Sequence, residues 1–324
     1  SGEDLSAGDR VAVLLRNCRE WVIFDQAALG CGLVLVPLYT EDRAENIAYI
    51  LQNAGVKVLL LEGEDHWERL QSVRDKLGHL TRVLSLHPIN APEGETRLRT
   101  VSDWLPVAGG ELLQNEGPAG ELATIVYTSG TTGRPKGVML SHRNIVWNAW
   151  RCSEVVRIYT DDILMSFLPL SHTFERTAGY YLPIMTGATV AYARSIPQLA
   201  EDLQLIKPTL MISVPRIFER VYNKIQAQLD DKPPVARKLF EITVDIGWKR
   251  FLHQQGRGSW RLSFLLWPVL NHLVASKIIA KLGGRMRLAV SGGAALPPKV
   301  AQTFIGLGLP LIQGYGLTET SPVI

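Results

Sequence analysis

Short apolar runs alternate with stretches of helical periodicity, and this alternation constrains the fold more than any other feature of the sequence. The apolar runs lie at 11–15, 33–36, 56–61 and 82–86. The helix-like stretches between them lie around 19–29, 43–53 and 66–77. Strands that alternate with helices are typical of βαβ units. The sequence therefore predicts an α/β fold with a largely parallel sheet.

Residues 87–120 interrupt this alternation with several glycines and four prolines. Prolines and glycines favour turns, so we predict loops around a short helix there and a boundary between two subdomains at residue 120. The first subdomain is predicted over 1–120 and the second over 121–324. Strands of the second are predicted near 122–127, 163–168, 188–192, 209–213, 286–290 and 310–313. A helical insertion is predicted over about 215–282.

Composition narrows the class of protein. The chain has 324 residues, of which 46% are hydrophobic and 20% charged, which suits one or two globular domains with sizeable cores. With 34 basic and 31 acidic residues the net charge is +3, so nucleic acid is not an expected partner. The three cysteines lack the spacing of a metal site and are odd in number, which predicts a reducing, cytoplasmic location.

Residues 127–142 read Tyr-Thr-Ser-Gly-Thr-Thr-Gly-Arg-Pro-Lys-Gly-Val-Met-Leu-Ser-His. Glycines, hydroxyls and one lysine after an apolar strand are the groups that a polyphosphate needs. Candidate phosphate ligands are Thr128, Ser129, Gly130, Thr131, Thr132, Gly133 and Lys136. Ser141 is expected to cap a helix that starts near His142. The run matches neither the Gly-Lys-Ser/Thr loop of nucleotide triphosphatases nor the Gly-x-Gly-x-x-Gly pattern of dinucleotide sites.

Three further segments accompany this loop. Leu168–Glu175 contains His172, and Ala289–Pro297 passes from an apolar strand into small residues, namely Ser291, Gly292, Gly293 and Ala294. The third, Gln313–Pro322, reads Gln-Gly-Tyr-Gly-Leu-Thr-Glu-Thr-Ser-Pro. Each segment alone suits a turn or a helix cap. Together the four closely resemble the motifs of the adenylate-forming superfamily, which includes acyl-CoA synthetases, nonribosomal-peptide adenylation domains and luciferases.

The resemblance implies the large N-terminal domain of these enzymes, with two βα sheets packed through helices. It also implies that ATP, Mg²⁺ and coenzyme A are used, and it assigns roles. Thr128 and Glu319 would hold Mg²⁺, and His172 would flank the acyl carbonyl and the α-phosphate, so these three are the candidate catalytic residues. Ser291–Ala294 would wall the adenine. The second nucleotide segment would contribute Gln313, Gly314, Tyr315 on the adenine, Gly316, Leu317, and Thr318 at the α-phosphate.

The reaction implied has two halves. A carboxylate oxygen attacks the α-phosphorus of ATP to give an acyl-adenylate and pyrophosphate, and the coenzyme A thiol then displaces AMP. Neither half needs an enzyme nucleophile, because positioning and charge stabilisation dominate such transfers. By the same resemblance, a ribose-binding aspartate and a mobile small domain with the adenylation lysine would follow Ile324. We therefore expect this chain alone to adenylate poorly or not at all.

Ser213–Val221 resembles the gate segment of long-chain acyl-CoA synthetases, which implies a long-chain fatty acid as substrate. A fatty-acyl-AMP ligase or another adenylation domain is the alternative within the superfamily. A nucleotide-binding scaffold module is the alternative outside enzymes.

The region 232–290 holds eleven Lys and Arg against Glu241 and Asp245, interleaved with aromatic residues. This pattern predicts peripheral contact with an anionic membrane. A core-packed helix with a solvated basic face is the competing interpretation. The apolar run Leu262–Leu270 is broken by Ser263 and Pro268 and is expected to be too short to span a bilayer. A homodimer is a further expectation.

Overall fold

The computed structural model describes residues 3–90, 94–107, 117–128 and 133–324. The chain forms two compact units. The first comprises Ser1–Arg151 and Pro169–Thr177, and the second comprises Cys152–Leu168 and Ala178–Ile324. The chain thus leaves the first unit after Arg151, returns to it for nine residues, and leaves it again. We call Pro169–Thr177 the return segment.

A seven-stranded sheet forms the centre of the first unit, in the order β5-β4-β3-β1-β2-β6-β7. The strands are β1 Arg10–Leu14, β2 Val34–Pro37, β3 Val56–Leu61, β4 Arg82–Ser85, β5 Leu98–Thr100, β6 Leu122–Thr128 and β7 Lys136–Ser141. All neighbours are parallel except β6 and β7. The helices are α1 Arg19–Gly30, α2 Ala44–Ala54, α3 Glu64–Gln71, α4 Val101–Trp104, α5 His142–Val155 and α6 Thr173–Arg176.

Helix α2 shows how the sequence sets these elements. Its apolar residues at helical spacing, including Ile47, Ala48 and Leu51, are buried in the core against the sheet. Gly55 ends the helix in the left-handed region at φ 60°, where its N–H caps carbonyls of the last turn. β3 begins at the next residue. The predicted alternation of strand and helix is confirmed in this unit.

A five-stranded parallel sheet forms the centre of the second unit, in the order β12-β11-β10-β8-β9. The strands are β8 Ile163–Ser166, β9 Thr189–Tyr192, β10 Leu210–Ser213, β11 Leu288–Ser291 and β12 Leu311–Gln313. The helices are α7 Leu182–Thr186, α8 Leu199–Ile206, α9 Pro215–Asp230, α10 Pro234–Gln254, α11 Trp267–Leu270, α12 Ser276–Ile279 and α13 Pro298–Gly306. Phe218 and Phe304 meet edge to face in the core, with ring centroids 5.4 Å apart.

A buried carboxylate connects the N-terminal ends of three strands of this second sheet. Asp162 accepts hydrogen bonds from the hydroxyl of Thr209 at 2.6 Å and from the guanidinium of Arg287. Burial alone would raise the pKa of Asp162, but these hydrogen bonds outweigh it and lower the pKa to about 2. The residues that precede β8, β10 and β11 are therefore held together by one charged group.

The predicted subdomain boundary at residue 120 does not match the structure. β6 pairs in parallel with β2, opposite Leu35 at Thr124, and β7 extends the same sheet from β6. β6 and β7 therefore both belong to the first sheet. The physical reason is a backbone pairing between strands that are distant in sequence, which local patterns do not encode.

The last part of the predicted helical insertion is a series of short segments. Between Leu262 and Leu282 the chain passes through 3₁₀, α and π turns without leaving a helical path. Among the described residues this is the one helical stretch that is long and apolar enough, by length and composition alone, to cross a bilayer. The sequence predicted that the apolar run Leu262–Leu270 would be too short to span a bilayer. The helical stretch is longer than that run, since it extends over 21 residues from Leu262 to Leu282, and the expectation about length is corrected.

Helices α10 and α13 cross at glycines. A Cβ added to Gly247 would lie 1.9 Å from the carbonyl oxygen of Gly306, and one added to Gly306 would lie 2.5 Å from the carbonyl oxygen of Val244. We expect Gly247→Ala to lower the free energy of unfolding by about 1–3 kcal/mol, because the two backbones must separate. Denaturant unfolding followed by circular dichroism measures this.

Gly30→Ala is the matched control, since Gly30 is helical and a Cβ there meets nothing within 4 Å. We expect it to be neutral or to stabilise by up to about 1 kcal/mol. Equal stability of Gly247→Ala and the unchanged protein would show that the helices do not cross this closely.

Candidate functional site

Two antiparallel strands, β6 and β7, flank the glycine-rich loop in the sequence. β6 ends at Thr128 and β7 begins at Lys136, and these two residues face each other in the antiparallel register. The sequence predicted a strand, a loop and then a helix, whereas the structure places β7 between the loop and α5. Ser129, Gly130, Thr131 and Thr132 lie outside the described residues. Gly133 has φ +89° with open space around it, a conformation that favours glycine.

The predicted cap of α5 is confirmed. The hydroxyl of Ser141 accepts a hydrogen bond from the N–H of Asn144 at 3.2 Å. In return the side-chain oxygen of Asn144 accepts from the N–H and the hydroxyl of Ser141 at 2.9 and 2.8 Å. This reciprocal pair fixes the point at which the hairpin passes into the helix.

Packing behind the hairpin leaves the lysine at its mouth accessible. Tyr127 donates its hydroxyl proton to the side chain of Asn53 at 2.6 Å, which ties β6 to α2. A Cβ at Gly137 would lie 2.7 Å from Ile125 and 3.1 Å from the Tyr127 ring, so the glycine lets these side chains cross the hairpin. Lys136 is exposed and forms no ion pair with any residue that the structure describes. Its charge is available to an anion.

His172 lies in the return segment, at the N-terminus of α6. Its Nδ1 accepts a hydrogen bond from the N–H of Phe174 at 3.1 Å. A nitrogen that accepts carries no proton, so the neutral ring has its proton on Nε2. Desolvation lowers the pKa of His172 below its ordinary 6.5, which favours this neutral form. The residue is exposed, and Nε2–H is the one N–H donor of the neutral ring.

A buried ion pair fixes the return segment. Arg176 and Asp25 have side chains only 2% and 0% exposed, and their charged atoms lie 2.5 Å apart. Arg176 also donates to the hydroxyl of Thr124 at 2.7 Å and lies 5.4 Å over the ring of Trp21. Sequence reasoning missed these residues. The available signal was an aspartate within the apolar pattern of α1, since a buried carboxylate requires a partner.

In the second unit the two predicted nucleotide segments meet side by side. β11 and β12 are neighbours, with Ser291 opposite Gln313. The N–H of Gly314 donates to the carbonyl of Ser291 at 2.8 Å, and the N–H of Leu296 donates to the side-chain oxygen of Gln313 at 3.0 Å. We call these joined strand ends the edge platform. Open α/β sheets bind ligands at this carboxyl edge.

The segment after β12 folds back on the chain end. The N–H of Ile324 donates to the carbonyl of Tyr315 at 3.0 Å, and a Cβ on Gly316 would lie 1.6 Å from the carbonyl oxygen of Pro322. Only glycine fits at that position. The Tyr315 ring is 69% exposed and therefore free to stack on a flat ligand.

Glu319 fits a shared divalent cation. It is exposed on a 3₁₀ turn and makes no ion pair within the described part of the chain. Carboxylate oxygens suit Mg²⁺, which keeps several waters or phosphate oxygens and needs few protein ligands. Among the described residues no group of three or more His, Cys, Asp or Glu comes together. A Mg²⁺ ion would therefore rely on a nucleotide for much of its coordination.

The candidate residues fall into two sets. Thr128, Gly133, Lys136 and His172 belong to the first unit. The second unit brings Ser291–Ala294 together with Gln313–Glu319 on the edge platform. Gln313 was predicted to bind nucleotide, and its side-chain oxygen is already occupied by the N–H of Leu296.

The sequence matches the AMP-binding enzyme family over residues 2–324, so the chain belongs to that family. It is 34% identical over 328 residues to long-chain-fatty-acid–CoA ligase FadD15 of Mycobacterium bovis, covering 98% of this chain and 52% of that protein. It is 32% identical over 330 residues to fatty acyl-CoA synthetase A of Dictyostelium discoideum, covering 97% and 47%. ATP-bound MatB from Rhodopseudomonas palustris shares the fold, with a TM-score of 0.68, 22% identity and coverage of 98% and 52%.

The fold and family that the sequence motifs predicted are therefore confirmed. The chain spans about half the length of the curated relatives it matches.

The neutral state of His172 can be tested by titration. Because the folded pKa lies below 6.5, the folded protein takes up this proton later than the unfolded chain. The contribution of the neutral His172 ring to the free energy of unfolding is fully present above pH 6.5. It is lost as the pH falls below 6.5 and through the lower pKa of the folded protein. We expect the His172 ring resonances to titrate with a midpoint below 6.5 by NMR.

His172→Asn assigns the resonance and keeps a capping acceptor without a titratable ring. We expect this variant to lose less stability than the unchanged protein between pH 7 and about pH 5.5. His66, whose pKa desolvation also lowers, is present in both proteins and cancels. A midpoint at or above 6.5 would contradict the assigned state.

Proposed function

We propose that the whole protein uses ATP to convert a long-chain fatty acid to its acyl-adenylate, and then to the coenzyme A thioester. The observation that carries the proposal is the edge platform, where the two nucleotide segments form one surface with Tyr315 and Glu319 exposed. Family membership and the names of both curated relatives support it.

The roles of the site residues are proposals that rest on the fold. Lys136, Gly133 and the loop residues 128–132 bind the β- and γ-phosphates, and Tyr315 stacks on adenine beside Ser291–Ala294. Gly314, Gly316 and Leu317 contribute backbone to the nucleotide, and Gln313 holds the platform. Thr318 donates to the α-phosphate. Thr128 and Glu319 would each supply an oxygen ligand to Mg²⁺, which would neutralise phosphate charge.

Neutral His172 suits the acyl side of the reaction. With Nδ1 accepting from Phe174, the protonated Nε2 donates a hydrogen bond to an oxygen of the substrate carboxylate or the α-phosphate. Such a donor holds the attacking oxygen in line without adding a competing positive charge. The anchor formed by Arg176 and Asp25 keeps the ring in place during the attack.

Two other functions are separable from this one. A fatty-acyl-AMP ligase would release pyrophosphate and make no thioester, whereas a nucleotide-binding scaffold would bind ATP and release nothing. The resemblance of Ser213–Val221 to the gate segment of long-chain acyl-CoA synthetases favours the coenzyme A ligase, and part of this segment forms the start of α9 at Pro215. A cytoplasmic location, which the three free cysteines support, and a homodimer stay predictions.

Nucleotide binding by this chain is tested by calorimetry with Mg²⁺ and ATP. We expect Glu319→Gln and Lys136→Ala each to weaken binding about tenfold or more, because each removes a charge that faces phosphate or its cation. Glu154→Gln and Lys299→Ala are the controls, since both alter exposed charges outside the site. Without Mg²⁺, Glu319→Gln should bind ATP with the same affinity as the unchanged protein. Equal affinities of all four variants for ATP with Mg²⁺ would rule out the assigned site.

Substrate class is tested by thioester formation. With the full-length gene product, we expect fatty acids of long chain to give acyl-CoA and pyrophosphate in equal amounts. This 324-residue chain is expected to release pyrophosphate far more slowly than the full-length protein. Turnover by the chain equal to that of the full-length protein would show that it holds every catalytic group. Pyrophosphate without thioester would identify an acyl-AMP ligase.

A further inference from the structure

One helical face of the second unit is apolar where a soluble helix is usually polar. Between Leu262 and Leu282 the side chains of Phe264, Leu270, Ala275 and Leu282 are buried and pack into the unit. The opposite face carries Leu262, Leu265, Leu266, Val269 and Leu273, and we call these five residues the outer stripe. They are 45–75% exposed. Trp260, 54% exposed, precedes the stripe.

The neighbouring helix α10 shows the usual arrangement. Its exposed positions include Arg237, Lys238, Glu241 and Asp245, and ion pairs form along the helix between Arg237 and Glu241 and between Lys249 and Asp245. No such pairing covers the outer stripe. A row of exposed leucines beside a normally solvated helix is therefore a local property of this stretch. Contiguous exposed apolar surface marks an interaction site.

Charge around the outer stripe has one sign. Residues 246–318 contain nine Lys and Arg and no Asp or Glu. Arg257 and Arg261 flank Trp260, and Lys277 continues the exposed face one turn beyond Leu273; all three are exposed. None of the three forms an ion pair with a residue that the structure describes. The surface therefore combines apolar side chains with unneutralised positive charge.

We infer that the outer stripe docks on the surface of an anionic lipid membrane. Leucines and Trp260 would enter the boundary between headgroups and acyl chains to a depth of about 5–10 Å, and Arg257, Arg261 and Lys277 would meet lipid phosphates. An acidic protein would match the charge but not the row of leucines. A second copy of this chain would bring the same positive charge and be repelled.

The buried face decides against crossing the bilayer. The core of the second unit includes four side chains of this stretch, those of Phe264, Leu270, Ala275 and Leu282. Insertion across the bilayer would require these side chains to leave the core. The stretch is long and apolar enough to cross only by composition. Its packing places one face in protein and leaves the other for the interface. Docking is thus peripheral and independent of the proposed ligase activity.

Vesicle flotation of the purified 324-residue chain tests the inference. We expect binding to vesicles of phosphatidylcholine with phosphatidylglycerol, weakened by salt, and little binding to phosphatidylcholine alone. The double variant Leu265→Ser with Leu266→Ser should bind about tenfold more weakly. The charge variant Arg257→Glu with Arg261→Glu should lose the dependence on anionic lipid. Leu205→Ser, at a leucine of α8 that is 76% exposed, is the matched control and should bind normally.

Each other outcome overturns the inference. Binding unchanged in both double variants would place lipid contact elsewhere, and absence of binding would remove it. Insertion into the bilayer would be shown if detergent released the bound chain and neither salt nor alkaline carbonate did.

Sedimentation velocity without lipid tests whether a second copy of the chain covers the outer stripe. An oligomer that the leucine variant converts to monomer would make the stripe a contact between copies. Unfolding curves confirm that the variants fold. Failure of ATP binding in these variants would signal misfolding, since the surface is distinct from the edge platform.

Discussion

The ion pair between Arg176 and Asp25 is the interaction on which the arrangement of this chain most depends. Burial of two charges is costly unless their geometry is good and their remaining hydrogen-bonding groups find partners. Arg176 contacts Asp25, the hydroxyl of Thr124 and the face of Trp21, which together offset part of that cost. The pair can form only if the chain, having started the second unit, comes back to the first. Leu170 adds a hydrogen bond to Asn17 at 2.9 Å at the start of that return. One buried charge thus sets the path of the backbone and the position of His172.

Most of the described candidate site residues lie where strands end. In the first unit Thr128 and Lys136 face each other at the ends of the antiparallel strands β6 and β7, and in the second unit the parallel strands β11 and β12 end together. The described parts of the two sets offer different groups. The first contributes the exposed Lys136 and the left-handed Gly133, whereas the edge platform contributes the exposed side chains of Tyr315 and Glu319.

Local sequence patterns predicted what local physics determines. The parallel sheets follow from apolar runs alternating with helices, and the caps at Ser141 and Gly55 follow from residue type. The assignment of β6 to the first sheet did not follow, because its partner Leu35 lies 89 residues before Thr124. β7 carried a signal in the sequence, the short apolar run Val138-Met139-Leu140 between Gly137 and Ser141. Motifs predicted which residues could handle nucleotide, but the Arg176–Asp25 anchor spans 151 residues of sequence and left no motif. Nucleotide contacts remain predictions, because they depend on a bound ligand.

The glycine crossing of α10 and α13 ties the helical insertion closely to the edge platform. Backbone meets backbone at Gly247 and Gly306, so no side chain stands between the helices to rearrange when one of them moves. Helix α13 connects β11 to β12, the two strands that form the edge platform. The helical insertion is therefore packed, without an intervening side chain, against the element that connects the two platform strands. A side chain added at this crossing would have to displace α13, and with it the connection between β11 and β12.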